Sequence, residues 1–187
     1  KIEIEYMRFV EDENFVYVEP KPGVFEIRNG DAEQGASTFV SNNATITIVD
    51  DPENEGNKVY RVASNAGKNW TYFRQDCEFT PGTTYKIEFD VKLAGLGTDL
   101  NGTDPGLETS VMCNMIYTDS EGKTDHITGM SQTLSVADGW VHCSFEHTVD
   151  ANSKDRSSDQ FSIYANPVGE SSVNYYLDNV VVTPVEE

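Results

Sequence analysis

At 187 residues the chain has room for one core of about 140 to 160 residues and a short extra segment, but not for two full domains of that kind. Its formal net charge of −19, from 32 acidic against 13 basic residues, sets it against phosphate backbones and anionic lipid surfaces, so nucleic acid and membrane are excluded as partners in favour of neutral ligands and cations. No apolar run approaches the ~18 residues of a membrane span, and no export leader is read at Lys1.

Residues 1–22 stand apart. Lys1 to Val10 reads as a strand and Pro20-Lys21-Pro22-Gly23 as a linker. The preferred reading takes residues 1 to 13 as the last strand of an upstream module, and the alternative takes them as an N-terminal strand of this fold. Further along, short alternating runs predict strands at Thr45 to Val49, Lys58 to Ala63, Trp70 to Phe79 and Thr84 to Leu93. Others follow at Thr109 to Thr118, Lys123 to Thr133, Trp140 to Val149, Gln160 to Ala165 and Val173 to Thr183. The clearest is Thr84 to Leu93, where Tyr85, Ile87, Phe89, Val91 and Leu93 alternate with Lys86, Glu88, Asp90 and Lys92. Pro81-Gly82-Thr83 before it is a turn signal, with φ preset at Pro and positive φ available at Gly.

The acidic stretch Asp51-Pro-Glu-Asn-Glu-Gly56 opens like a calcium-binding hand, but Val62 stands where the bidentate Glu is required, so it reads as a solvated turn. Leu96 to Leu107 is a long polar loop of the kind that often lines a binding site. With no helical periodicity over ten residues and strands recurring every 10 to 15, the fold class is all-β, a sandwich or a barrel. The odd set Cys77, Cys113 and Cys143 lacks metal-ligand spacing and lies in alternating apolar runs. Buried free thiols are the first reading and a Cys77–Cys143 disulfide the second.

From Asn29 onward the order of features resembles the carbohydrate-binding modules of families 4, 9 and 22. It runs Asn29-Gly30-Asp31-Ala32-Glu33, Gly56-Asn57-Lys58-Val59-Tyr60, Trp70, Phe79-Thr80-Pro81-Gly82, Asp138-Gly139-Trp140 and Tyr175-Tyr176-Leu177-Asp178-Asn179-Val180. Family 22, the xylan-binding type, looks nearest through the Tyr117 to Gly122 hairpin. The resemblance implies an antiparallel β-sandwich of jelly-roll, galactose-binding-like type with a structural Ca2+ that joins both ends of the fold, held by Glu33 and Asp178 with carbonyls of Gly30 and Lys58.

It also implies a sugar-binding cleft. Trp70 falls at the family's binding Trp, with Tyr72 and Arg74 on its face of the strand; packing in the core is the alternative for Trp70. His126 stands where the family has a second aromatic platform, with Tyr117 facing it across the hairpin. Ser162, Tyr164 and Asn166 lie on the polar face of the stretch Phe161 to Asn166, where family 22 carries a Tyr-x-Tyr-x-Glu face. Trp140 is assigned to packing, and at least one of Tyr175 and Tyr176 to the core.

No nucleophile elbow, phosphate loop or His-rich metal spacing is present, and His142 and Cys143 point to opposite faces of their strand, so no enzyme is expected. The expectation is a non-catalytic module that binds a plant cell-wall polysaccharide or oligosaccharide, xylan or mixed-linkage glucan, in a secreted or cell-surface protein. A covalently linked glycoside hydrolase is its expected partner. The competing expectation is a structural or adhesive sandwich without sugar binding.

Overall fold

A computed structural model describes residues 27–35, 37–65, 68, 70–153 and 159–185, with backbone only for 125–128. The predicted strand and linker in residues 1–22 lie outside the described residues, as does the side chain of His126. Among the described residues nine strands follow one another: β1 (Ala44–Asp50), β2 (Lys58–Ser64), β3 (Thr71–Asp76), β4 (Thr84–Leu96), β5 (Glu108–Thr118), β6 (Thr124–Ser135), β7 (Val141–Thr148), β8 (Gln160–Ala165) and β9 (Val173–Pro184). A single 3-10 turn at Val136–Asp138 separates β6 from β7. The strands form two antiparallel sheets, one in the order β1-β2-β9-β4-β7 and the other β3-β8-β5-β6. Of the two all-β forms its periodicity allows, the chain is therefore the sandwich.

Each sheet buries one face. From the five-stranded sheet come Tyr60, Val62, Tyr85, Ile87, Phe89, Val91, Tyr175 and Leu177; from the four-stranded sheet come Phe73, Val111, Cys113, Met115, Phe161 and Ile163. Period-two geometry then sends the alternate residues to the two outer faces. β3 stops after Asp76 because the next backbone donors turn to Asp159: Cys77 N–H bonds its carbonyl at 3.1 Å and Phe79 N–H its carboxylate at 2.8 Å. The predicted turn at Pro81-Gly82 closes with Thr83 N–H on the Thr80 carbonyl at 3.1 Å and Gly82 at φ +77.

β6 carries one residue more than β5 opposite the Cys113–Asn114 step, and the bulge places Gly129 against β7. A Cβ at Gly129 would lie 2.3 Å from the Phe145 ring, so only glycine fits there. All three cysteines are free, Cys113 and Cys143 are buried, and burial pushes their thiols up, Cys143 to about 11. The free-thiol reading holds and the disulfide does not form.

His147 on β7 is half-buried beside Tyr117, whose hydroxyl lies 3.2 Å from Nε2, and burial holds its imidazole below the ordinary 6.5. A group with a depressed folded pKa binds fewer protons folded than unfolded, so it costs stability as pH falls through the unfolded value. His142, held above its ordinary pKa by Asp90 and Glu88, works in the opposite direction, so the His147 contribution is read as a difference. In thermal unfolding followed between pH 7.5 and 5, the wild type should lose more stability below about 6.5 than the His147→Gln variant.

Candidate functional site

The outer face of the four-stranded sheet holds the predicted cleft residues in rows set by strand register. Tyr72 on β3 pairs with Tyr164 on β8, which pairs with Met112 on β5; the next row is Arg74, Ser162 and Asn114. Trp70 leaves the sheet just before β3 and is 38% exposed, which excludes the core alternative. Its ring runs nearly parallel to Tyr72 (27°, centroids 6.4 Å) and meets Tyr164 edge-on at 5.6 Å and 68°. Tyr72 and Tyr164 are 5.0 Å apart. Three aromatic rings thus converge at one end of the sheet, and burial keeps the Tyr72 hydroxyl above its ordinary pKa, hence a neutral donor and acceptor.

The polar row beside these rings is unusual for a sheet surface. Ser162 and Asn114 are 1% and 2% exposed, although both sit on the outward parity of their strands. Ser162 Oγ, Asn114 Oδ1 and Arg74 Nε are each buried without a hydrogen-bond partner among the described residues. Such atoms normally find partners, and each orphan costs on the order of 1–3 kcal/mol. Together they offer a guanidinium donor, a hydroxyl able to do either, and an amide acceptor, side by side at the strand spacing of ~4.8 Å. Asn166, just past β8, is half-buried and bonded through its backbone to Ser110 (N–H to O, 2.9 Å) and Thr109 (Oγ1–H to Asn166 O, 2.7 Å).

One predicted residue is corrected. Tyr117 is 3% exposed and belongs to the core, edge-on to Phe79 at 6.3 Å, so it offers no ring to the cleft. The inward set on β5 is Val111, Cys113, Met115 and Tyr117, leaving Met112, Asn114 and Ile116 outward. The backbone of His126 pairs with Ile116, one residue from Tyr117. Sequence reasoning put Ser162 on the cleft face without a role and missed Asn114 and Met112. The available signal was a polar residue wedged between apolar ones, as in Cys113-Asn114-Met115 and Phe161-Ser162-Ile163.

On the opposite sheet, the two carboxylates predicted to hold calcium meet one turn. Lys58 N–H donates to Glu33 Oε1 at 2.8 Å, and Asn57 Nδ2–H to Asp178 Oδ2 at 3.0 Å. The Gly30 carbonyl accepts Val180 N–H at 3.0 Å, packed so closely that a Cβ on Gly30 would lie 2.0 Å from the Val180 oxygen. Burial raises the Asp178 carboxyl above its ordinary pKa, and Asp90 and Asp51 add to the effect. Among the described residues no group of three or more His, Cys, Asp or Glu side chains is arranged for a metal, so carbonyl oxygens would have to complete any cation shell.

The fold matches solved carbohydrate-binding modules. The C-terminal family 22 carbohydrate-binding module of Clostridium thermocellum xylanase 10B superposes with a TM-score of 0.64 at 13% identity, over 88% of this chain and 97% of that one. The family 22 xylan-binding domain from Paenibacillus barcinonensis gives 0.62 at 12% identity, over 84% and 93%. A family 22 module joined to the catalytic module of Clostridium thermocellum endo-xylanase 10B, complexed with xylohexaose, gives 0.59 at 16%, over 80% of this chain and 26% of that one. No curated protein sequence matches the chain. A family model described as a carbohydrate binding domain, of the 4 and 9 type, matches residues 26–168. The match takes in β1 to β8 and the whole aromatic cluster, and the chain belongs to the carbohydrate-binding domain family.

Proposed function

We propose that the outer face of the four-stranded sheet binds a neutral β-glycan of plant cell walls, xylan or mixed-linkage glucan, without catalysing any reaction on it. The carrying observation is the aromatic group Trp70, Tyr72 and Tyr164 set beside the unpartnered row Arg74, Ser162 and Asn114. A pyranose presents an apolar C–H face and a rim of hydroxyls. The rings suit the first, and a donor, a donor-acceptor and an acceptor in a line suit the second. The net charge of −19 favours an uncharged polymer. The family 22 relatives named for xylan support that ligand class, and the one fused to a xylanase supports a role in holding a linked glycoside hydrolase on its substrate. Insoluble wall glycans lie outside cells, so the protein works secreted or at the cell surface.

Calcium is the second part of the proposal. Glu33 and Asp178 would hold it with carbonyls of Gly30 and Lys58; what supports this is that both carboxylates bond the same Asn57–Lys58 turn. The ion would contribute stability by joining the N-terminal turn to β9.

Affinity electrophoresis through xylan and mixed-linkage glucan tests the cleft. The wild type should be retarded by at least one of them, and Trp70→Ala or Tyr164→Ala should weaken binding by roughly tenfold or more. No retardation in any wall polysaccharide would favour a structural or adhesive sandwich. Ser162→Ala separates the two roles of the polar row: it should weaken sugar binding yet raise the stability of the free protein by about 1 kcal/mol, since it deletes an unpaired buried hydroxyl. For calcium, a chelator should lower the melting temperature by several degrees and Glu33→Gln should abolish that response. An unchanged melting temperature would remove the ion from the account.

A further inference from the structure

The buried atoms without partners include a second set of three, and these lie on the other side of the molecule. Thr47 Oγ1, Arg61 Nε and Trp140 Nε1 belong to the outer face of the five-stranded sheet. Register aligns them: Thr47 pairs with Arg61, Arg61 with Tyr176, and Tyr176 with Lys92. Trp140 precedes Val141, the partner of Val91, and so comes opposite Lys92. The row crosses all five strands, about 19 Å at the usual spacing.

Two loops wall this face. The 51–57 loop is tied down by the ion pair of Glu53 with Lys92. The segment after β4 is tied down by Asn174, whose amide donates to the carbonyls of Gly97 and Asp99 at 2.8 Å, and by Tyr176, whose hydroxyl donates to Leu100 O at 3.0 Å. Between them lies a cavity of about 270 Å³ with Tyr176 on one wall and Pro52, Leu100 and Asn101 around it. A second cavity, of about 230 Å³, is lined by Asp51, Asp90, Trp140 and Asp178. The rings of Tyr176, on the first cavity, and Trp140, on the second, stand 6.5 Å apart.

We infer that this groove is a second saccharide site, distinct from the cleft and independent of it, that takes neutral sugar residues. The chemistry narrows the ligand. Indole and phenol rings offer flat apolar walls, the Asn101 amide offers a donor, and the carboxylates of Asp51 and Asp90 offer acceptors for hydroxyl protons. Phosphate or carboxylate ligands would meet the carboxylates of Asp51 and Asp90 while Lys92 is already paired with Glu53, and a purely apolar ligand would strip water from those carboxylates without replacing it. A neutral polyol satisfies both conditions. With one site on each outer face, a single module could hold two glycan chains or wrap one, multiplying avidity on a polymer without new contacts in either site.

The chain has two tryptophans, Trp70 in the cleft and Trp140 in the groove, so each site carries its own indole N–H reporter. Two-dimensional 1H–15N NMR in calcium-containing buffer would follow both while xylo-oligosaccharides, mixed-linkage gluco-oligosaccharides and the free neutral hexoses and pentoses are added. The Trp140 signal should move saturably with at least one of them, and should still move in Trp70→Ala. Asn101→Ala should weaken that response by roughly tenfold while leaving the Trp70 response unchanged. A Trp70 signal that moves while Trp140 stays still across the whole panel would overturn the second site and leave the cleft standing. A Trp140 shift that disappears in Trp70→Ala would be an effect transmitted from the cleft and would overturn it too. If Trp140 moves and Trp70 does not, the second site holds and the cleft proposal fails.

Discussion

One buried hydroxyl joins the two sheets where the cleft begins. Tyr175 of β9, wholly buried, donates from its phenol to the carbonyls of Thr71 at 2.7 Å and Ile163 at 3.2 Å, the first on β3 and the second on β8. Thr71 returns the bond, its Oγ1 donating to Val173 O on β9 at 2.9 Å. Burial drives the phenol pKa well above its ordinary value, so the donor stays protonated. The staple fixes the start of β3 against the five-stranded sheet, and Trp70 and Tyr72 flank the residue it holds. Ring placement in the cleft therefore follows from an interaction in the core, which is how a rigid scaffold positions a binding surface at its edge.

Strand alternation does the rest. Once Phe73, Phe161 and Ile163 face inward, Tyr72, Arg74, Ser162 and Tyr164 must face outward, and register sets them in rows. What alternation alone does not explain is why Ser162 and Asn114 sit buried and unpaired on that outward face. A fold selected for stability alone would replace them with apolar groups or give them partners. Polar side chains left unpaired beside exposed rings are where a fold departs from stability alone, and functional surfaces are where such departures are expected. The same pattern recurs across the five-stranded sheet at Thr47, Arg61 and Trp140.

Much of this was legible in the sequence because strand periodicity is strong where one face is buried and the other wet. β8 falls where the alternation of Gln160 to Ala165 predicts it, and β4 keeps Tyr85 to Leu93 in the core as read. β5 was harder. Its segment Val111-Met-Cys-Asn-Met-Ile-Tyr117 carries apolar side chains on both parities, since Met112 and Ile116 face the cleft while Val111, Cys113, Met115 and Tyr117 face the core. Period two cannot choose a face there, and Tyr117 went to the wrong one. The long loop after Leu96 was expected to line a binding site by its length; it packs beside Tyr176 on the five-stranded sheet, away from the aromatic cleft. Which face a loop covers depends on long-range contacts such as Asn174 with Gly97 and Asp99, and no local pattern encodes those.

The central claim is that aromatic rings on the four-stranded sheet stack on the C–H face of a sugar ring. Saturation-transfer NMR measures this directly, by irradiating protein resonances and reading which ligand protons gain saturation from nearby rings. With a xylo- or mixed-linkage gluco-oligosaccharide, the account predicts strong transfer to the axial C–H protons of the pyranose, falling sharply in the Trp70→Ala, Tyr164→Ala double variant. No transfer to any of these oligosaccharides, or transfer undiminished in the double variant, would contradict it.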